Sequence, residues 1–136
     1  MITSHHGNWT GVNRLWLEGP ASESSAGTAE VEASQIRYTW GFRDKPQTGV
    51  LVISGTAGAL RADWEDSFHY SDGTVMHGFM DDGVLKLFGT YPAGDGPDWG
   101  WRIQIDFRDP ETFVLQMYNV EPGEDPVIAV DLRAQR

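Results

Sequence analysis

Between residues 8 and 133 apolar side chains recur at every second position, and no window holds a helical stripe for three turns. The alternating runs are short. They are cut by Gly19-Pro20, Lys45-Pro46, Ala57-Gly58, Asp72-Gly73, Asp82-Gly83, Asp109-Pro110 and the 121–126 stretch, each of which favours a turn. Spacing of this kind reads as about ten short strands of an antiparallel protein. Tight turns join sequence neighbours, which favours an up-and-down meander, and a meander of this many strands removes its exposed edges by closing. The expected fold is all-β: an antiparallel up-and-down closed β-barrel with no substantial helix. A sandwich is the alternative, but it needs longer crossovers than this chain offers.

The whole chain, 1–136, reads as one domain with 1–6 as a flexible N-terminus. Residues 19–27, GPASESSAG, read as a loop, and 91–98, YPAGDGPD, as a second; the two are expected at opposite barrel mouths, where either could gate entry. In 28–33 the odd positions Ala29, Val31 and Ala33 are apolar, whereas from Ile36 through Tyr38, Trp40 and Phe42 the even ones are. A shift of one residue flips every side chain, so Ser34-Gln35 must hold a turn or bulge. Asp44-Lys45-Pro46-Gln47 is expected to form the next turn.

Two hairpins assign faces. Asp72-Gly73 suits a two-residue type I′ turn, and closing it on Ser71 and Thr74 sets Phe68 opposite His77 and Asp66 opposite Phe79. The inner face would then carry Trp64, Asp66, Phe68, Tyr70, Val75, His77 and Phe79, with His69 on the solvent face. In the second hairpin a Pro110-Glu111-Thr112 loop pairs Asp109 with Phe113. It puts Trp101, Ile103, Ile105 and Phe107 on one face with Leu115, Met117 and Asn119.

Twenty acidic against ten basic residues, a net charge of -10, repel phosphate backbones and anionic membranes, so neither nucleic acid nor membrane is an expected partner. No cysteine is present, which excludes disulfides, a thiolate nucleophile and cysteine metal sites. The first residues, MITSHHGNW, show no signal-peptide pattern, and no apolar run approaches the ~18 residues of a membrane span; a cytoplasmic protein is expected.

Gly7-Asn8-Trp9, with Arg133 near the end of the last run, is similar to the signature of the calycin barrels, which include lipocalins and fatty-acid-binding proteins. That resemblance implies that Trp9 caps one barrel end with Arg133 across its ring, a cation–π contact. The chain also resembles the bacterial domain-of-unknown-function 1579 family, through Gly7-Asn8-Trp9-Thr10-Gly11, Asn13-Arg14-Leu15-Trp16, Tyr38-Thr39-Trp40, 64–69, 96–102 and Met117-Tyr118-Asn119. The Gly-x-Trp-x-Gly opening looks like that of the ten-stranded, haem-binding nitrobindins. Those barrels use a late histidine as axial ligand, whereas the last histidine here is His77. No haem or other cofactor is therefore carried over.

Asp66 and His77, diagonal neighbours roughly 7–8 Å apart in the expected register, are the candidate catalytic pair. A carboxylate that orients an imidazole makes a general base; the same pair could fix a ligand's polar group, or satisfy itself inside the barrel. Trp64, Phe68, His77, Phe79, Trp101, Tyr38 and Asn119 are the candidate ligand-binding residues, with Trp40 and Trp99 as further stacking surfaces. No metal site is expected, because Asp81-Asp82-Gly83 and Asp95-Gly96 lack calcium-loop spacing. The leading expectation is a barrel that binds a small, mostly apolar ligand in its lumen. The alternatives are a barrel enzyme of isomerase, cyclase or lyase type, and an interaction protein with a filled lumen. Trp16 and Val120 could mark a homodimer surface on an otherwise monomeric chain.

Overall fold

The alternation becomes ten antiparallel strands in the computed structural model, which describes residues 3–136. They are β1 (Gly7–Leu15), β2 (Glu23–Val31), β3 (Gln35–Phe42), β4 (Lys45–Thr56), β5 (Ala59–Asp66), β6 (Tyr70–Asp81), β7 (Val84–Tyr91), β8 (Trp99–Asp106), β9 (Phe113–Val120) and β10 (Val127–Gln135). Each pairs with its sequence neighbours, and β1 pairs with β10 to close the barrel. The sandwich alternative is thereby excluded. The one helical element among the described residues is a 3-10 turn, Thr3–His5; no helix there is long and apolar enough to cross a membrane.

Several turns fall where the sequence puts them. Ala57-Gly58 joins β4 to β5, Asp82-Gly83 joins β6 to β7, and 32–34 carries the parity change between Val31 and Ile36. Other boundaries differ. The 19–27 loop is shorter than expected, because 23–27 pair with β1 as part of β2. It shares one barrel end with the connection after Tyr91 instead of facing it from the opposite mouth, since both follow odd-numbered strands of an antiparallel meander. The β3–β4 turn is Arg43-Asp44, both at positive φ (49° and 67°), and Pro46 lies inside β4. Pro46 is tolerated there because the β4–β5 ladder begins only at Gly49, so no partner strand requires its missing N–H.

The β8–β9 hairpin keeps its expected faces but pairs two residues out of the expected register. Ile105 meets Leu115, Ile103 meets Met117 and Trp101 meets Asn119, around a longer connection over 107–112.

The larger correction concerns β5 and β6. Asp72-Gly73 is not the hairpin turn: the chain reverses at 67–69, Asp66 pairs with Tyr70, and Trp64 pairs with Thr74. Ser71, Asp72 and Gly73 bulge against the single residue Glu65, with Gly73 at φ 79°. The inward set on β6 is therefore Met76 and its neighbours of even number, while His77 and Phe79 are exposed on the outer wall. Asp66 and His77 do not form a pair.

The lumen is filled. Trp9, Ile36, Leu51, Leu60, Met76, Leu87, Ile103, Ile105, Phe113, Leu115, Met117 and Leu132 are all within 2% of full burial. The end of the barrel carrying the 3-10 turn, taken as the lower end, is plugged. His5, fully buried, stacks on Trp9 (5.3 Å) and meets the edge of Phe107 (5.0 Å). Its Nε2 lies 2.9 Å from both the Asp109 and Thr112 carbonyls. The residues expected as a flexible N-terminus, from Thr3 onward, thus pack against the fold; Met1 and Ile2 lie outside the described residues. The arginine over Trp9 is Arg136, at 4.4 Å, and not Arg133, which instead binds Asp131 on the outer wall.

Candidate functional site

The upper end gathers the residues with chemical potential, and the 67–69 turn builds it. Asp66, the last residue of β5, points inward and is 1% exposed. Its Oδ1 accepts hydrogen bonds from the backbone N–H groups of Phe68 (2.9 Å) and His69 (2.8 Å), an Asx-type turn. The same oxygen lies 3.3 Å from His69 Nδ1. Tyr38 Oη donates to Asp66 Oδ2 at 2.5 Å and accepts from Trp64 Nε1 at 2.9 Å. Gly49, paired with Tyr38, leaves the space in which that phenol lies: a Cβ at 49 would sit 2.0 Å from Tyr38 Cζ.

Burial pushes the Asp66 carboxyl up, but hydrogen bonds and charge from His69, with the Tyr38 hydroxyl and the His69 amide, outweigh it and hold the group below its ordinary value. Tyr38 is held well above the ordinary phenol range, by burial first and by the adjacent Asp66 charge second. The network therefore rests as a carboxylate beside a neutral phenol.

Around it the aromatic rings converge on His69. Trp101 lies 4.9 Å from the imidazole, Phe68 4.8 Å and Trp40 5.9 Å. Trp64 stacks on Trp101 at 5.8 Å and 14°, and Phe42 meets Phe68 at 5.1 Å. Tyr70 packs against Trp64, and Tyr91 donates to Asn119 Oδ1 at 2.5 Å farther round the rim. A gap of only about 10 Å³ remains between Trp64, Tyr70, Met76, Gly89, Tyr91 and Trp101, about the least that holds one water.

Of the residues singled out in the sequence, Tyr38, Trp64, Asp66, Phe68 and Trp101 meet here, and Trp40 joins them. Asn119 lies at the rim with Tyr91. His77 and Phe79 are absent from the site, and Trp99 faces a separate depression shared with Trp16 and Leu17. His69, assigned to the solvent face, is the histidine that belongs: its side chain is 14% exposed. His5 and Asp66 lie at opposite ends of the barrel.

Polar groups without partners concentrate at this end. Trp40 Nε1, Trp101 Nε1 and both amide atoms of Asn13 are buried with no hydrogen bond, as are Arg102 Nε on the next residue of β8 and His6 Nε2 at the lower end. Asn13, Trp40 and Trp101 each lie two residues from the upper end of their strands. By contrast Trp9, Trp16 and Trp64 all donate. A depression of about 520 Å³ opens on the outer wall between Thr28, Arg37, Thr48 and Glu65, and its lining includes Tyr38, Gly49 and Asp66.

No protein-family model matches the chain, and no curated protein matches it. The site stands on its own geometry, at the upper end of a closed ten-stranded meander barrel.

Proposed function

We propose that the barrel binds a small, flat, mostly apolar ligand at its upper end, between the rings around His69, and not deep in the lumen. The orphaned indole N–H groups of Trp40 and Trp101 carry this reading. A buried donor without a partner costs roughly 1–3 kcal/mol, and a core kept only for packing would replace it with a phenylalanine or leucine. Phe68 rides on the 67–69 turn and not on a strand, so it is the ring free to swing aside and admit a ligand. Incubation with cell extract, followed by native mass spectrometry, tests the proposal. A bound species that Trp101→Ala loses supports it. A chain that stays at its own mass, with unchanged tryptophan emission across an aromatic library, refutes it.

The Asp66–His69 pair supports a second reading, catalysis. Asp66 faces Nδ1, which leaves Nε2 as the nitrogen directed away from the carboxylate, an arrangement that suits a general base. Recovery of the captured ligand separates the two readings. Chemical conversion that His69→Gln abolishes, with binding retained, means catalysis; a ligand recovered unchanged means binding alone.

A further inference from the structure

The polarity of the unpartnered groups specifies which ligands the upper end can take. Resting on the binding reading above, we infer that the ligand's polar group is a neutral hydrogen-bond acceptor, a ketone, aldehyde or amide carbonyl on a flat ring system, received by the indole N–H groups of Trp40 and Trp101.

An aromatic cluster beside a buried carboxylate would ordinarily suggest a cation site, since ring faces and a free acid both attract ammonium groups. Here the acid is already used. Asp66 Oδ1 faces Phe68 N, His69 N and His69 Nδ1, and Oδ2 faces Tyr38 Oη. Three donors crowd Oδ1 and the Tyr38 hydroxyl holds Oδ2, so most of the carboxylate's acceptor capacity is engaged inside the fold and a cation would have to compete with these bonds. The groups that lack partners are donors: Trp40 Nε1 and Trp101 Nε1, on two rings that both pack against His69. Asn13, also unpartnered, offers a donor and an acceptor and so favours neither sign.

The same surroundings exclude a carboxylate ligand. Arg43, over the Phe42 ring at 4.6 Å, is exposed and already faces Glu23, and the chain as a whole carries -10. A second buried carboxylate there would be desolvated and repelled by Asp66, which already holds His69 as its partner. A carbonyl accepts the same hydrogen bonds without that cost.

Four matched naphthalenes test this: 2-acetylnaphthalene, 2-ethylnaphthalene, 2-naphthoate and 2-naphthylmethylammonium, titrated by calorimetry against the full chain. The acetyl compound should bind at least about tenfold more tightly than the ethyl compound, the effect of supplying one missing acceptor, and the two ions should bind more weakly than either. Trp40→Phe and Trp101→Phe should each narrow the ratio of acetylnaphthalene to ethylnaphthalene affinity. Where a variant misfolds, the indole N–H resonances of the unaltered protein give the same information. Those of Trp40 and Trp101 should move downfield with the acetyl compound and not with the ethyl one. Equal affinity for acetyl and ethyl, or tightest binding of either ion, overturns the acceptor assignment and leaves the site standing. Failure of all four to bind overturns the site as well.

Discussion

Gly49 offers the sharpest test of how the upper end is held. A methyl group there would lie 2.0 Å from Tyr38 Cζ and 2.1 Å from its Oη, against the ~3.5–4.0 Å of a carbon contact. In Gly49→Ala the phenol must therefore shift by more than an ångström, and the bonds Tyr38–Asp66 (2.5 Å) and Trp64–Tyr38 (2.9 Å) cannot both survive. Overpacking costs about 1–3 kcal/mol, and losing a hydrogen bond to a buried charged group about 1.5–3 kcal/mol. The gain from replacing a strand glycine returns about 0.5–1 kcal/mol. A net loss of about 2–5 kcal/mol is expected in urea unfolding followed by circular dichroism. Gly58→Ala is the control: nothing lies within 4 Å of its Cβ, and it should be neutral or slightly stabilising. A double-mutant cycle completes the test, because Gly49→Ala should cost less in a Tyr38→Phe background, where neither of the two hydroxyl bonds exists to be broken. If Gly49→Ala loses under about 1 kcal/mol, or if the two changes add, Tyr38 does not depend on the space at Gly49 and the reasoning fails.

Three further outcomes follow from the same geometry. The Asp66 carboxyl is held below its ordinary value, so its contribution is complete above an unfolded pKa of about 3.9 and is lost as pH falls through the lower folded value. Urea midpoints measured from pH 7 to pH 2 should drop steeply below about pH 4, and Asp66→Asn should flatten that limb. Tyr38 is raised, so its contribution is present below about pH 10 and is lost as pH rises through the folded value. Phenolate absorbance from this residue should then appear only with unfolding. Arg136→Ala should remove about 1 kcal/mol by freeing the Trp9 face and the Ser4 and His6 carbonyls, and should speed hydrogen exchange at the Trp9 indole.

The barrel was legible in the sequence because alternation and turns report burial directly, strand by strand. The misplaced hairpin shows where that reading is weakest. Asp72-Gly73 is a strong local turn signal, yet Asp66 supplies a competing one by capping Phe68 and His69, and burial decided between them. A further signal lay downstream. The Asp82-Gly83 turn pairs Met80 with Leu85 and Gly78 with Leu87, and Lys86 fixes the odd positions of β7 as the buried ones. Carried upstream, that parity puts Met76 inside and His77 outside, the observed arrangement. Bulges erase such parity from one side only, so a strand's face is read more safely from both of its turns. The orphaned indoles had no comparable trace, because nothing in a sequence tells a tryptophan that donates from one that does not.

Nine of the ten strand ladders join sequence neighbours; the tenth, β1 with β10, joins residues more than a hundred apart, such as Thr10 with Gln135. Local hairpins can form as the chain emerges from the ribosome, but the seam must wait for the last strand. Until then β1 and β10 each present an unpaired edge to other nascent copies. Because Arg136 also holds the Ser4 and His6 carbonyls, a bulky C-terminal fusion should act on the slowest step of folding, lowering soluble yield well before it changes the equilibrium stability of molecules that have closed.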